Sequence, residues 1–298
     1  MEYLRTPEER FEGLPDFNFA PNYIATLPGY EGLRIHYVDE GDVSAKKTFL
    51  CLHGQPTWSY LYRKMIPVFL ADGHRVIVPD LLGFGKSDKP CKEETYSFDF
   101  HRNMLSALVK ALDLKNLVLV CQDWGGIIGL TLPPSMPDRF SQLIVMNTAF
   151  PVGESLGQGF DAWKSYNREH PDLKVGELMQ RATPGLSDEE ARAYDAPFPD
   201  ARYKAGVRRF PELVMIEPGM QGIEIVREAR DWWSTQWSGQ SFMAIGMADP
   251  VLGSPIMASV HNCIRGCPPP LELHDAGHFV QEHGEQVASA ALVYLDQE

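Results

Sequence analysis

Asp123, Asp249 and His278 are the residues of this 298-residue chain whose types and spacing could do chemistry together. Asp123 stands in Cys121-Gln122-Asp123-Trp124-Gly125-Gly126, with small residues two places to either side. The apolar, β-prone run Leu117 to Cys121 precedes it, and a stretch with helical potential, Ile127 to Leu132, follows. Strand, sharp turn and helix is the context that lifts a nucleophile above a sheet edge. Small flanking residues let the backbones pass closely there. The plainer reading of the same residues is an aspartate that caps a helix. Asp249 follows the apolar run Phe242 to Gly246. His278 follows the short run Leu271 to Leu273, in Asp275-Ala276-Gly277-His278-Phe279. Alone, Asp249 reads as a turn residue before Pro250 and His278 as a packing histidine. Together they are three polar groups at three strand ends, in the order nucleophile, acid, histidine.

An aspartate nucleophile dictates a particular reaction. A carboxylate is already ionised at neutral pH, so it needs no base before it attacks. It can displace a leaving group at an sp³ carbon and form an ester, which a histidine-activated water then hydrolyses. The substrate expected is therefore an alkyl halide or an epoxide rather than a carboxylic ester. His53-Gly54-Gln55-Pro56 also follows a strand. The backbone N–H groups of Gln55 and Trp124 are candidates for an oxyanion hole serving the hydrolytic step. His53 itself reads as structural.

The elements that must position these groups are legible as hydrophobic periodicity. Tyr23 to Leu27 and Leu33 to Glu40 alternate apolar and polar residues, and read as two strands joined by a turn. Thr48 to Leu52, Val76 to Val78, Leu117 to Cys121 and Phe140 to Asn147 read as buried strands. Tyr60 to Leu70 has helical spacing, broken or kinked at Pro67. Phe98 to Leu112 reads as a helix capped by Ser97, and the helix after Asp123 should stop near Pro133-Pro134. Alternation of strand and helix predicts a mostly parallel sheet covered on both faces. The texture changes at Pro151, after which helical segments, prolines and aromatics dominate to Trp237. The domain expectation is a core of residues 1–150 and 238–298, with 151–237 inserted as a helical cap.

Composition excludes several classes. The chain is 44% hydrophobic and 22% charged, an ordinary globular balance, and its net charge of −13 argues against nucleic acid or an anionic membrane as partner. No apolar run approaches the ~20 residues of a membrane span, and the N-terminus has no signal-peptide core. Five cysteines, an odd number with two in strand-like runs, suggest reduced thiols and a cytoplasmic protein. Cys263 and Cys267 lie near His261 and His274, but no second pair completes a zinc site, so no metal and no cofactor is expected. Gly83-Phe84-Gly85-Lys86-Ser87 resembles a phosphate loop, yet Asp80 occupies the position where that motif needs glycine.

Several motifs resemble haloalkane dehalogenases: His53-Gly54-Gln55-Pro56-Thr57-Trp58, Gln122-Asp123-Trp124-Gly125-Gly126, Gly157-Gln158-Gly159-Phe160-Asp161-Ala162-Trp163-Lys164, Ala196-Pro197-Phe198-Pro199-Asp200 and Asp275-Ala276-Gly277-His278-Phe279-Val280-Gln281-Glu282. The resemblance covers nearly the whole chain and points to the subfamily whose catalytic acid follows the cap. It implies an α/β-hydrolase fold. It also implies hydrolysis of a small halogenated alkane to a primary alcohol, halide and a proton, by a monomer. It assigns Asp123 as nucleophile, His278 as base and Asp249 as the acid that orients it. Trp124 and Trp163 become indole N–H donors to the halide ion. Phe160, Phe210, Pro211, Val214 and Leu252 become apolar pocket walls. Ile127 stands where an aromatic is expected, which bears on pocket size. Two other readings use the same residues. An epoxide hydrolase would draw a proton donor from Tyr166, Tyr194 or Tyr203, and a non-catalytic ligand receptor would share the fold alone. Trp163, and Gln122 rather than histidine before Asp123, favour the dehalogenase.

Overall fold

Continuous apolar runs of five to seven residues are too short for helices and too greasy for a solvated sheet face. They assemble here into the middle of one sheet. The computed structural model describes residues 1–297. Its eight-stranded sheet comprises β1 (Asn22–Ile24), β2 (Ile35–Glu40), β3 (Thr48–Leu52), β4 (Arg75–Pro79), β5 (Leu117–Cys121), β6 (Phe140–Met146), β7 (Gln240–Gly246) and β8 (Leu271–Leu273). The spatial order is β1-β2-β4-β3-β5-β6-β7-β8. β2 runs antiparallel to both β1 and β4, and every other neighbouring pair is parallel. β3 and β5 are buried along their whole length. Each fully buried Val or Leu there contributes roughly 1.5–3 kcal/mol relative to exposure.

Helices cover the sheet. α1 (Ile66–Ala71), α2 (Phe98–Ala111), α3 (Asp123–Gly129), the short α4 (Leu132–Ser135), α10 (Ser254–Cys263) and α11 (Gly284–Leu295) belong to this layer. Ser97 caps α2, its hydroxyl accepting from the Phe100 N–H at 3.1 Å. Between β6 and β7 the chain forms α5 (Gln158–Glu169), α6 (Val175–Ala182), α7 (Asp188–Asp195), α8 (Ala205–Leu213) and α9 (Ile223–Thr235), with no strand among them. No helix of the described residues is long and apolar enough to cross a membrane.

Two expectations about helices are corrected. Tyr60 to Leu70 is not one helix kinked at Pro67: a 3₁₀ turn covers Ser59–Tyr62, and α1 starts at Ile66 with Pro67 in its first turn. Proline needs no N–H partner in a first turn, so it starts this helix instead of bending it. Likewise Pro133 and Pro134 lie inside α4, and α3 has already ended at Gly129.

The strand order decides where a ligand can bind. The chain passes from β3 outward to β4, then back across β3 to β5, so connections leave β3 and β5 toward opposite sides. A crevice opens at such a switch point, beyond the C-terminal strand ends. Gln55 follows β3 and Asp123 follows β5 at that place.

Candidate active site

Asp123 adopts a φ of 51°, in the left-handed region that a side chain other than glycine rarely enters. The close approaches around it explain the small residues. A Cβ on Gly125 would lie 2.0 Å from the Leu52 carbonyl, and one on Gly126 would lie 2.2 Å from Thr148 Oγ1. The Asp123 N–H donates to the Asn147 carbonyl at 2.8 Å, and the Thr148 hydroxyl donates to the Asp123 carbonyl at 2.8 Å. The carboxylate does not cap the helix. Its Oδ1 accepts the Gln55 N–H at 2.7 Å. No hydrogen bond joins it to the Trp124 N–H, the other expected oxyanion donor.

His278 and Asp249 arrive from the loops after β8 and β7. His278 Nδ1 is 2.8 Å from Asp249 Oδ2, and His278 Nε2 is 3.6 Å from Asp123 Oδ2. Asp249 is also the turn residue that its place before Pro250 suggests, since its Oδ1 accepts the Val251 N–H at 2.8 Å. Burial alone would raise the Asp249 pKa, but the His278 ring, the Asn147 amide and the Val251 N–H together hold it below the usual carboxylate range. Burial would likewise lower the His278 pKa, while the two facing carboxylates act against it and raise it above the ordinary 6.5.

The three groups open into one cavity of about 620 Å³, bounded by core loops on one side and α5, α6 and α8 on the other. Its wall is largely apolar, as expected of a small-molecule site. Trp124 and Trp163 line it. Trp58, Trp233 and Trp237 donate their indole N–H groups within the protein. Those of Trp124 and Trp163 meet no acceptor among the described residues, so two donors without a countercharge border the cavity.

Of the expected walls, Phe160, Pro211, Val214 and Leu252 line the cavity, with Ile127 beside them. Phe210 does not, and that expectation is corrected. It stands behind Trp124, ring centroids 4.9 Å apart, with Phe84 and His101 on its other sides. One helical position separates Phe210 from Pro211, and that 100° rotation decides which faces the space. Leu156, Val251 and Phe279 also border it, and nothing local in the sequence marks them. The tyrosines of the rival reading disperse. Tyr194 is buried against Glu282 and Arg63, Tyr203 is off the cavity, and Tyr166 alone lies on its wall, its hydroxyl accepting from Arg181 at 2.7 Å.

Two polar residues of the site went unassigned in the sequence. Asn147, just past β6, donates to Asp249 Oδ2 at 2.9 Å and to the Gly246 carbonyl at 3.0 Å, while its own carbonyl receives the Asp123 N–H. Its only signal was a polar residue at a strand's C-terminal end. Gln122 donates to the His278 carbonyl at 3.0 Å. His53, read as structural, receives the Leu81 N–H on Nε2 at 3.0 Å. The glycine-rich loop read as no phosphate site wraps the buried Asp80, which accepts the Lys86 and Ser59 N–H groups.

Comparison with known proteins extends this geometry. The family described as the alpha/beta hydrolase fold matches residues 47–285. A haloalkane dehalogenase of Psychrobacter cryohalolentis is 42% identical, over 99% of this chain and 98% of that protein. One of Mycolicibacterium paratuberculosis is 39% identical over 98% of each. The solved structure of haloalkane dehalogenase DpaA from Paraglaciecola agarilytica, described as tetrameric, is 52% identical with a TM-score of 0.98 and full coverage of both chains. The expectation of a monomer finds no support in that relative. A site of this geometry, on this sheet, in a chain this similar end to end, establishes that the protein belongs to the haloalkane dehalogenase family, on the α/β-hydrolase fold.

Proposed function

We propose that this chain hydrolyses haloalkanes to a primary alcohol, halide and a proton through an ester on Asp123. The observation that carries the reading is one cavity bordered by an anionic carboxylate, a histidine 3.6 Å from it, and two indole N–H donors without acceptors. Asp123 attacks the carbon bearing the halogen, and the carbon–halogen bond breaks as the carbon–oxygen bond forms. Trp124 and Trp163 hold the departing halide in a dry site, and donors without countercharge release it again. Water then attacks the ester carbonyl, with His278 as base and Asp249 orienting its ring. The Gln55 N–H, already on Asp123 Oδ1, steadies the oxyanion, and Trp124 N–H is the second donor.

Residues 151–237 act as the cap domain over a core of 1–150 and 238–298. An epoxide hydrolase would draw on hydroxyls at the cavity, and only Tyr166 of the three cap tyrosines borders it. All five cysteines are free thiols, which suits the cytoplasm. For the quaternary state the relative described as tetrameric favours an assembly of copies over a monomer. Light scattering at the exit of a sizing column tests this, a single-chain mass refuting it.

The deciding experiment is a single turnover in H₂¹⁸O. Direct attack by Asp123 leaves the label on the Asp123 peptide and none in the alcohol. Labelled alcohol with an unlabelled peptide rejects the covalent route. Halide release from 1,2-dibromoethane and 1-bromobutane, measured beside hydrolysis of styrene oxide, separates the two enzyme classes. His278→Gln should accumulate the ester, seen as a mass adduct on the Asp123 peptide, because only the second step needs a base. Turnover near wild type in freshly purified Asp123→Asn, without deamidation, would remove Asp123 from its role.

A further inference from the structure

Gln122, the residue before Asp123, is completely buried. Its amide nitrogen donates to the backbone carbonyl of His278 at 3.0 Å and lies 2.9 Å from His278 Nε2. A carbonyl oxygen only accepts, so the first contact determines which end of the Gln122 amide is nitrogen. The opposite end agrees: Gln122 Oε1 receives Gln281 Nε2 at 3.5 Å. Gln281 also reaches Tyr62 Oη at 3.4 Å, and that hydroxyl donates to the Leu52 carbonyl at 2.8 Å. With the amide oriented, an N–H points at His278 Nε2, and a ring nitrogen that accepts carries no proton. On the other side, Nδ1 faces Asp249, which only accepts. The contacts therefore select the neutral imidazole with its proton on Nδ1.

The charges around the ring favour the opposite state. Asp249 and Asp123 face it from the loops after β7 and β5. On its own segment are Asp275, on the cavity wall, and Glu282, which is engaged by Arg63 and Lys64. The cap contributes Arg181 to the same wall. The two nearest groups are carboxylates, and carboxylates stabilise an imidazolium. An imidazolium cannot take a proton from water.

We propose that Gln122 is a positioning residue for the hydrolytic step, its amide N–H keeping His278 Nε2 unprotonated and aimed toward the ester on Asp123. The proposal rests on the two-step reaction proposed above. In the second step a water oxygen bonds to the ester carbonyl carbon and its proton passes to Nε2. The carbonyl carbon–alkoxide bond then breaks, the alkoxide takes the proton from Nε2 and leaves as alcohol, and the restored carboxyl group loses a proton to solvent. The Gln122 N–H yields Nε2 to the incoming water while the same amide stays on the His278 carbonyl. Alkylation assists, because an ester on Asp123 removes one of the two facing carboxylates.

The test has two readouts. The first is ¹⁵N NMR of histidine-labelled protein without substrate, with His278→Gln identifying the resonance. The expected result is an unprotonated Nε2 on His278 at about pH 8 in the wild type, and in Gln122→Met a titration moved up by about one pH unit, one neutral-form hydrogen bond being lost. The second is rapid-quench measurement of ester formation and ester breakdown against pH. Breakdown should lose its acid-side limb to higher pH by the same amount in Gln122→Met, with ester formation unchanged. A protonated Nε2 in the wild type overturns the proposal, and needs no variant to fold. So does an unmoved limb, or equal slowing of both steps. Ester accumulating in the wild type beside an unmoved limb would overturn this proposal alone. Halide release without any ester would remove the two-step reaction and the proposal with it.

Discussion

Gly54 has no side chain, and that lets the loop after β3 reach the carboxylate. A Cβ there would lie 2.0 Å from Asp123 Oδ1. Gly54→Ala must push the Gln55 N–H and the carboxylate apart, and misplacement by about 1 Å at a reacting group costs on the order of a hundredfold in rate. A loss of that size in kcat/KM for halide release is expected, with the circular dichroism spectrum unchanged. Activity near wild type would mean the Gln55–Asp123 contact is incidental. Trp163→Phe tests the opposite wall, since phenyl keeps the apolar bulk and loses the donor. Losing one donor at an anion-stabilising site costs on the order of 3 kcal/mol in barrier height. Bromide quenching of tryptophan fluorescence should weaken in parallel. Unchanged halide affinity and rate would leave Trp163 as packing for Tyr166, whose ring lies 6.2 Å away.

At the scale of elements, Arg63 joins three segments that the sequence separates widely. From the loop between the Ser59–Tyr62 turn and α1, its guanidinium donates to both oxygens of Glu282 at 2.7 and 2.8 Å and to Glu190 on α7 at 2.6 Å. The same Glu190 closes a capping box with Ser187 at the start of α7. Glu282 follows His278 by four residues, so this fully buried arginine anchors both the histidine segment and α7 of the inserted helices. Arg63→Met leaves Glu282 with only Lys64 and the Tyr194 hydroxyl, and breaking a buried pair from one side costs up to about 3–5 kcal/mol. Urea unfolding measures this, and the added change Glu282→Gln should recover part of the loss. Equal stability of single and double variants would contradict it. Burial pushes Glu282 and Glu190 up, but Arg63 and their hydrogen bonds hold both below the ordinary 4.5, Glu190 at about 2. Their contribution is therefore complete above about pH 4.5 and is lost as pH falls from there toward 2.

Over the whole molecule, the core sheet and the inserted helices meet around His101. This α2 residue packs on Tyr96 and on Phe210 of α8, which in turn backs Trp124. Both ring nitrogens of His101 are buried without a partner among the described residues, and burial lowers its pKa to about 3 against an ordinary 6.5. The unfolded chain binds a proton there more readily than the folded one, so stability falls as pH drops from about 6.5 toward 3. His101→Leu removes this titration. The stability difference between about pH 8 and pH 5, measured by thermal unfolding, should narrow in the variant. An unchanged difference would place the acid sensitivity elsewhere.

The sequence by itself determined the sheet, the inserted helical segment and the residues offered to the reaction. Buried parallel strands write themselves as unbroken apolar runs. In such a sheet the loops after strand C-termini share one edge, so Asp123, Asp249 and His278 could be grouped from chain order alone. It also named the small residues of the elbow, though not which backbone each one clears. Local pattern failed where direction in space matters. The helix expected from Tyr60 to Leu70 broke before Pro67, because a proline suits a first turn as well as a kink. Phe210 and Pro211 are adjacent, and only the docking of α8 decided that one lines the cavity while the other backs Trp124. Asn147 gains its meaning from a strand that is its neighbour in the sheet, and Gln122 from a loop two intervening strands away, both distant in the chain. A hydrogen bond between residues 102 or 156 positions apart has no periodicity for a sequence to display.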